Sequence, residues 1–418
     1  MDKILAYSLA DFNFNDNPDI LSPPADFEAW LSHPSVQAAF SLFEQPLLSG
    51  PVVRTEMINN FDHKRRKVIN LTSYNYLGLA MHPEVIAAAK AALDRYGLGA
   101  SGAALLSGTY DLHLELAAKL AAFKEKEACV LYSGGLAANM GAMQGLLRKG
   151  DVLIMDEKCH KSLIDGGTLS GARMLFFAHN NMDSLVMMLE KYKCPRTMVA
   201  VEGVYSMDGD LPKLKEIVEI CERYHAPIYL DEAHSTLMFG KNGRGVGEHF
   251  GVEDRIGVIF GTFSKALGGV GGFVCSKAST IRYLKAYSSP FQFSCALPPA
   301  IVAGVLKALE IATRDSSLRD KLWENVAYFR KQLLGMELNL GDSESQVIPI
   351  IIGSDGEKLL KMAFEIQKRG LFLQPVDFPA VPANARRFRL SVTSAMTKQD
   401  IDEACNIIND VIAKGLKN

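Results

Sequence analysis

From about residue 108 to 275 the sequence alternates short apolar runs with longer amphipathic stretches, and few folds accept that pattern. The runs are ACVLYSG (128–134), DVLIMD (151–156), RMLFFAH (173–179), TMVAVEGVYS (197–206), PIYLDEAH (227–234), GVIFGTFS (257–264) and GGFVCS (271–276). Each has the length of one strand. Several are apolar throughout, as strands covered on both faces must be. The stretches between them, such as LPKLKEIVEICERYH (211–225), carry apolar residues at helical spacing. Strand–helix–strand alternation predicts an α/β fold with a mostly parallel sheet and helices on both faces. In such sheets chemistry gathers beyond the carboxyl ends of the strands.

The flanks read differently. Residues 1–70 form an expected irregular N-terminal arm with helical pieces, ending in the charged run DHKRRK (62–67), which is short and isolated enough to flank a turn. After residue 300 a long helical pattern (298–336) leads to SQVIPIIIG (345–353), a helix near 357–369, RFRLSVTS (387–394) and a last helix. The expected division is an arm over 1–70, a large domain over 71–300 and a small α+β domain over 301–418, bridged by the helical stretch from 300 to about 336.

Composition narrows the function classes. The 418 residues are 48% apolar and 22% charged with a formal net charge of −2, which gives no reason to expect nucleic acid or a membrane surface as partner. The longest apolar runs are far too short to span a bilayer. The N-terminal residues lack the basic, apolar and small-residue order of a secretion signal. The seven cysteines are scattered with no CxxC pair, so neither a disulfide framework nor a metal site is expected, and a cytoplasmic location is.

Polar groups follow the runs. Ser133, Gly134 and Gly135 precede a helical pattern; either a cradle of backbone N–H groups for an anion or a simple turn capped by Ser133 fits them. PIYLDEAH ends in Asp231, Glu232 and His234, and a buried strand-end acid is costly unless it meets a cation or donors. His160 follows DVLIMD, and Glu202 and Ser206 come from the 197–206 run. Lys265 follows GTFS without the spacing of a Walker loop or a GxGxxG motif, with the hydroxyls of Thr262 and Ser264 beside it. A lysine able to form a Schiff base, an anion cradle and a strand-end carboxylate together fit pyridoxal 5'-phosphate. Its aldehyde needs an amine, its phosphate needs donors and its ring nitrogen needs a carboxylate.

The resemblance is more specific than the pattern. In order along residues 70–400 stand SYNYLGLA (73–80), SGTYDLHLELAAKLAAF (107–123), SGGLAAN (133–139), DEKCHKSLIDG (156–166), EGVYSMDGD (202–210), LDEAHS (230–235), GRGVGE (243–248), GTFSKALGGVGGFV (261–274), PFQFSCALPP (290–299) and RFRLSVTSAMT (387–397). The chain resembles the α-oxoamine synthases of the fold-type-I pyridoxal-phosphate superfamily. That family includes serine palmitoyltransferase, 8-amino-7-oxononanoate synthase and glycine C-acetyltransferase, and the wording here is most similar to bacterial serine palmitoyltransferase. The resemblance implies a mostly parallel seven-stranded sheet plus a smaller C-terminal domain. It implies Lys265 as the Schiff-base lysine, Asp231 as partner of the pyridine nitrogen, His234 at the phenolic oxygen and His160 over the ring. It further implies Ser133, Gly134, Gly135, Ser206, Thr262 and Ser264 as cofactor contacts, and Ser294 as a residue reaching the phosphate from a neighbouring subunit. A homodimer with shared active sites follows from that. Asn75, His160 and Arg389 match substrate-binding positions, with no metal.

The implied reaction is a decarboxylative, Claisen-type condensation of a small amino acid with an acyl thioester, carried on CoA or on an acyl-carrier protein. Other readings remain: an activity like that of 8-amino-7-oxononanoate synthase or glycine C-acetyltransferase, a fold-type-I aminotransferase without acyl transfer, and an inactive partner subunit, against which the joint presence of Lys265, Asp231, His160 and His234 argues. The sequence departs from the family at Ala104, where arginine is usual, at Met396, where histidine is common, and at Asp377, where serine palmitoyltransferase has a mobile arginine. These departures bear on substrate choice rather than on cofactor chemistry.

Overall fold

A computed structural model describes Ile4 and residues 7–417. The chain groups into two units, a central one of Tyr74–Trp323 and a two-piece one built from residues up to 73 together with those from 324 onward.

The first piece holds an antiparallel hairpin, β1 (Arg54–Ile58) and β2 (Arg65–Asn70), with Arg54 opposite Ile69 and Ile58 opposite Arg65. This corrects the expectation of an irregular arm, although the run 62–67 does flank a turn, that of the hairpin. Two short helices, Phe27–Leu31 and Pro34–Phe40, are present, but the basic run supplies the start of β2. Its charges are absorbed locally. Arg65 pairs with Glu56 on the neighbouring strand, and Arg66 grips Asp62 in the turn with contacts of 2.8 and 2.6 Å. Cross-strand and turn ion pairs of this kind let charged residues occupy the outward face of a strand whose inward residues, Thr55, Met57 and Val68, are buried.

All seven apolar runs of the central unit become strands of one sheet: β3 (Ala128–Tyr132), β4 (Val152–Asp156), β5 (Arg173–Phe177), β6 (Thr197–Glu202), β7 (Ile228–Asp231), β8 (Val258–Thr262) and β9 (Gly272–Ser276). Their order is β3-β9-β8-β7-β6-β4-β5. Strands β5, β4, β6, β7 and β8 pair in parallel, while β9 runs antiparallel to both β8 and β3. The fold class expected from the sequence, a mostly parallel seven-stranded sheet with helices, is observed. Strands β4, β6, β7 and β8 are buried along their whole length, which explains their continuous apolar character. Val130, Met143, Leu153, Met198 and Phe260 belong to the core on this sheet.

The helical stretch after residue 298 is two helices, Pro299–Arg314 and Ser317–Gly335, broken where Asp315 accepts the Ser317 N–H at 2.9 Å. The second piece of the other unit then adds β10 (Val347–Gly353), β11 (Leu371–Phe372), β12 (Pro375–Val376) and β13 (Arg386–Ser391). β11 pairs in parallel with β2, which ties the N-terminal hairpin to the C-terminal piece. The sequence reading separated those two pieces because a strand pairing across some 300 positions leaves no local trace. No helix among the described residues is long and apolar enough to cross a membrane.

One buried ion pair fixes the end of β7. Lys124, at the end of the helix Asp111–Phe123, reaches the Glu232 carboxylate, the Thr236 hydroxyl at 3.0 Å and the Arg244 carbonyl. Glu232 also accepts the Gly247 N–H at 3.1 Å, and both charged side chains are at most 1% exposed. Removing one partner strands the other charge out of water. Lys124→Ala should therefore lower unfolding free energy by about 3–5 kcal/mol, read from urea denaturation. A double replacement of the pair by apolar residues of similar volume should recover much of that loss.

Candidate active site

The carboxyl ends of β4, β6, β7 and β8 bring together four of the groups singled out in the sequence. After β8 the chain turns through residues 263–271 back into β9. Thr262 donates its hydroxyl proton to the Gly271 carbonyl at 2.9 Å and accepts the Ser264 N–H at 3.2 Å, and Gly268 N–H closes the turn on the Lys265 carbonyl at 3.0 Å. Gly268 and Gly271 have φ of 68° and 124°, values that side chains resist, so these glycines shape the turn. Lys265 is half-buried within it, its amine 5.9 Å from the centre of the Tyr74 ring. The Thr262 hydroxyl, expected as a phosphate donor, spends its proton inside the turn.

Asp231, at the end of β7, is buried. One carboxylate oxygen accepts the Asn139 amide at 2.8 Å and the other the Ala233 N–H at 2.9 Å. Burial raises its pKa, opposed by the charge of Lys265 and by these donors. Glu202, at the end of β6, is buried and accepts the backbone N–H of His160. Burial first and the charge of Asp231 second hold its pKa well above the usual carboxylate range, with Lys265 pulling the other way. His160 precedes the helix Lys161–Ser170 and caps it with its own ring. Its pKa lies below the ordinary value because of desolvation, with Asp231 opposing and Lys265 adding to the shift. The charges of Asp231 and Lys265 thus act on both His160 and Glu202.

His234 lies beside them in the chain, buried, its Nδ1 2.8 Å from the buried Tyr76 hydroxyl and its ring 6.0 Å from Tyr74 in an edge-to-face contact. Gly134 is the extended residue before the helix Gly135–Leu146, and no side chain caps that helix. The Ser133 hydroxyl stands 3.2 Å from that of Ser294 within the same chain. Asn75 is buried and its side chain accepts the Ala80 N–H at 3.1 Å, which organises the 75–80 turn. Ser206 begins the turn that follows β6. Arg389 belongs to the other unit, on β13 opposite Pro349. Of the three departures, Met396 is buried, Ala104 packs partly buried against the central core and Asp377 forms an ion pair with Arg386. Among the described residues no cluster of three or more His, Cys, Asp or Glu is arranged for a metal ion.

Sequence reasoning assigned no role to Tyr76, Asn139, Ser162 and Tyr229. Asn139 had a visible signal: it is the one amide in the first turns of an otherwise apolar helix, and a buried amide must find partners. His179 was also passed over. It lies between two carboxylates, Nδ1 2.9 Å from Asp156 and Nε2 2.6 Å from Asp210, with Tyr205 edge-on at 4.6 Å. This clamp anchors the loop that carries Ser206.

Similarity to known proteins agrees with this geometry. Residues 66–408 match the family model described as aminotransferase class I and II. The 8-amino-7-oxononanoate synthase of Thermoanaerobacter pseudethanolicus is 42% identical over 348 residues, covering 83% of this chain and 88% of that protein. A 4-hydroxy-2,2'-bipyrrole-5-methanol synthase of Serratia is 34% identical over 403 residues, 96% of this chain but 61% of that protein. Among solved structures, the serine palmitoyltransferase of Sphingomonas wittichii superposes with a TM-score of 0.86 at 31% identity, over 93% of this chain and 96% of that one. A serine palmitoyltransferase bearing pyridoxal phosphate gives 0.84 at 31% identity, over 88% and 92%.

The clamp at His179 carries a pH signature. Desolvation alone would lower its pKa, but Asp156 and Asp210 outweigh it and raise the value to about 9 from 6.5. A raised histidine stabilises the fold fully below its unfolded value and loses that contribution as pH rises through the folded one. The stability difference between wild type and His179→Gln should be about 3 kcal/mol near pH 6 and shrink progressively toward pH 10, measured by denaturation at a series of pH values.

Proposed function

Because the chain belongs to the class I and II aminotransferase family, in its α-oxoamine synthase branch, we propose that it joins a small amino acid to an acyl thioester. The reaction is a pyridoxal-phosphate-dependent decarboxylative condensation giving an α-amino ketone. The observation that carries this reading is the convergence of Lys265, Asp231 and His160 on one end of one sheet, each within electrostatic reach of the others.

The residues present fit the cofactor. The helix Gly135–Leu146 begins without a side-chain cap, which leaves backbone N–H groups for a phosphate. Open space lies where a side chain at Gly134 would begin, and a Cβ at Gly135 would stand 2.9 Å from the Thr262 hydroxyl, so glycine keeps this cradle clear. Asp231 is a desolvated carboxylate suited to a protonated ring nitrogen. When bound, pyridoxal phosphate supplies an aldehyde for an amine and a ring able to take up negative charge from the amino-acid Cα.

The chain's own groups do the remaining work. Lys265 Nζ would hold the cofactor, and its free amine would be the base for the Cα proton. Asp231 would keep the ring nitrogen protonated, and His234, held by Tyr76, would donate to or accept from the phenolic oxygen. Ser133, Gly134, Gly135 and Ser264 would line the cradle, Ser206 would contact the cofactor and Ser294 would reach the phosphate from a neighbouring subunit, with Thr262 supporting them by fixing the lysine turn. His160 donates a hydrogen bond to the thioester oxygen as negative charge develops there. Asn75 would receive the amino-acid carboxylate. The acyl group arrives on CoA or on an acyl-carrier protein. Largely exposed Leu98, Leu106 and Phe293 support a homodimer as the working form, in the cytoplasm.

The test is direct. Purified protein loaded with pyridoxal phosphate should show a visible band that borohydride abolishes while fixing the cofactor on the peptide containing Lys265. Lys265→Ala should lack that band and lose condensation about a thousandfold or more, measured as thiol released from acyl thioesters with single amino acids. Movement of the amino group to a keto acid with no thiol released would favour a plain aminotransferase instead.

A further inference from the structure

His160 is tied to Asp231 by a chain of hydrogen bonds whose direction can be read. The Tyr229 hydroxyl donates to Asn139 Oδ1 at 2.7 Å, which fixes the orientation of the amide. Asn139 Nδ2 then places its hydrogens on Asp231 Oδ2 at 2.8 Å and on Ser162 Oγ at 2.9 Å. Ser162 Oγ, accepting from Asn139, gives its own proton to His160 Nδ1 at 2.7 Å. The backbone N–H of Ser162 also donates to Nδ1, at 3.2 Å, as the cap of the helix Lys161–Ser170. A ring nitrogen that receives an N–H carries no proton, so the neutral imidazole has its hydrogen on Nε2. Asn139, Ser162 and Tyr229 are buried, so water does not compete for the bonds among them, while His160, whose ring they hold, is itself exposed.

We infer that Tyr229, Asn139 and Ser162, with the helix cap, hold His160 in the neutral Nε2–H form, so that it meets the substrate as a hydrogen-bond donor from Nε2. Asn139 and Ser162 are positioning residues. They act through His160 on one side and through Asp231 on the other, which couples the orientation of the two groups. Protonation of Nδ1 would break both bonds to it and set a cation at a helix N-terminus, where the backbone dipoles oppose it. Among the described residues Nε2 has no protein partner, as befits an atom kept for substrate. The inference rests on the reading of His160 as the group that faces the reacting thioester.

The tautomer can be read without activity. Full-length protein labelled with ¹⁵N-histidine, with and without pyridoxal phosphate, is followed by two-bond proton–nitrogen correlation, His160 being assigned by its loss in His160→Asn. Wild type should show an unprotonated Nδ1 and a protonated Nε2. Ser162→Ala should acquire a measurable Nδ1–H population and lose about tenfold to a hundredfold in kcat, with KM for the amino acid changed less than about twofold. Ser162→Thr, which keeps the hydroxyl, should restore both. An Nδ1–H form in wild type overturns the inference, as does a Ser162→Ala protein with both tautomer and kcat unchanged. A wild-type protein with no borohydride-sensitive band would overturn the proposed function alone, because the tautomer is also read without the cofactor.

Discussion

The Asp231 carboxylate is 4% exposed at the end of a strand buried along its length, and a charge taken so far from water demands compensation at once. Two donors, from Asn139 and from the Ala233 backbone, and the nearby charge of Lys265 supply it. Each donor has its own requirement. Asn139 must be a buried amide in an apolar helix, so Tyr229 must accompany it. Ala233 must turn sharply after the strand, so Glu232 is held by Lys124 beneath it. Asn139, Tyr229 and the turn at Ala233 are thus bound to the burial of this one carboxyl group.

The sheet was legible because burial on both faces leaves a signal that does not depend on partners. Seven apolar runs became seven strands, and the residues just beyond them proved to be those gathered at the sheet's carboxyl end. The hairpin of β1 and β2 was not legible. Its strands are five and six residues long, and their outward positions carry Arg65, Glu56 and Lys67, of which Arg65 and Glu56 neutralise each other only once the strands have paired. The same holds for β11, two residues whose pairing with β2 has no local cause.

Within the site, legibility followed chemistry rather than position. Lysine, aspartate and histidine after strands attracted notice because together they fit one cofactor, whereas His179 and Asp156, also at strand ends, serve a structural clamp. Asn139, Ser162 and Tyr229 escaped because amides, hydroxyls and phenols have many ordinary uses, and only their mutual distances distinguish a relay from three unrelated hydrogen bonds. Thr262 shows the reverse. Its hydroxyl stood beside the lysine in sequence, yet the structure commits its proton to Gly271. A neighbour in sequence is a weaker guide than the direction in which a proton already points.

The single antiparallel strand of the sheet has a consequence for motion. Because β9 runs back against β8, the segment that carries Lys265 is a short link anchored at both ends in the same sheet, unlike the crossovers that join the parallel strands. Any insertion there would have to bulge against two hydrogen-bonded edges. The backbone is thereby anchored on both sides, and in the role proposed for Lys265 the travel of its amine would be left to rotations about the single bonds of the side chain, with no rearrangement of the sheet.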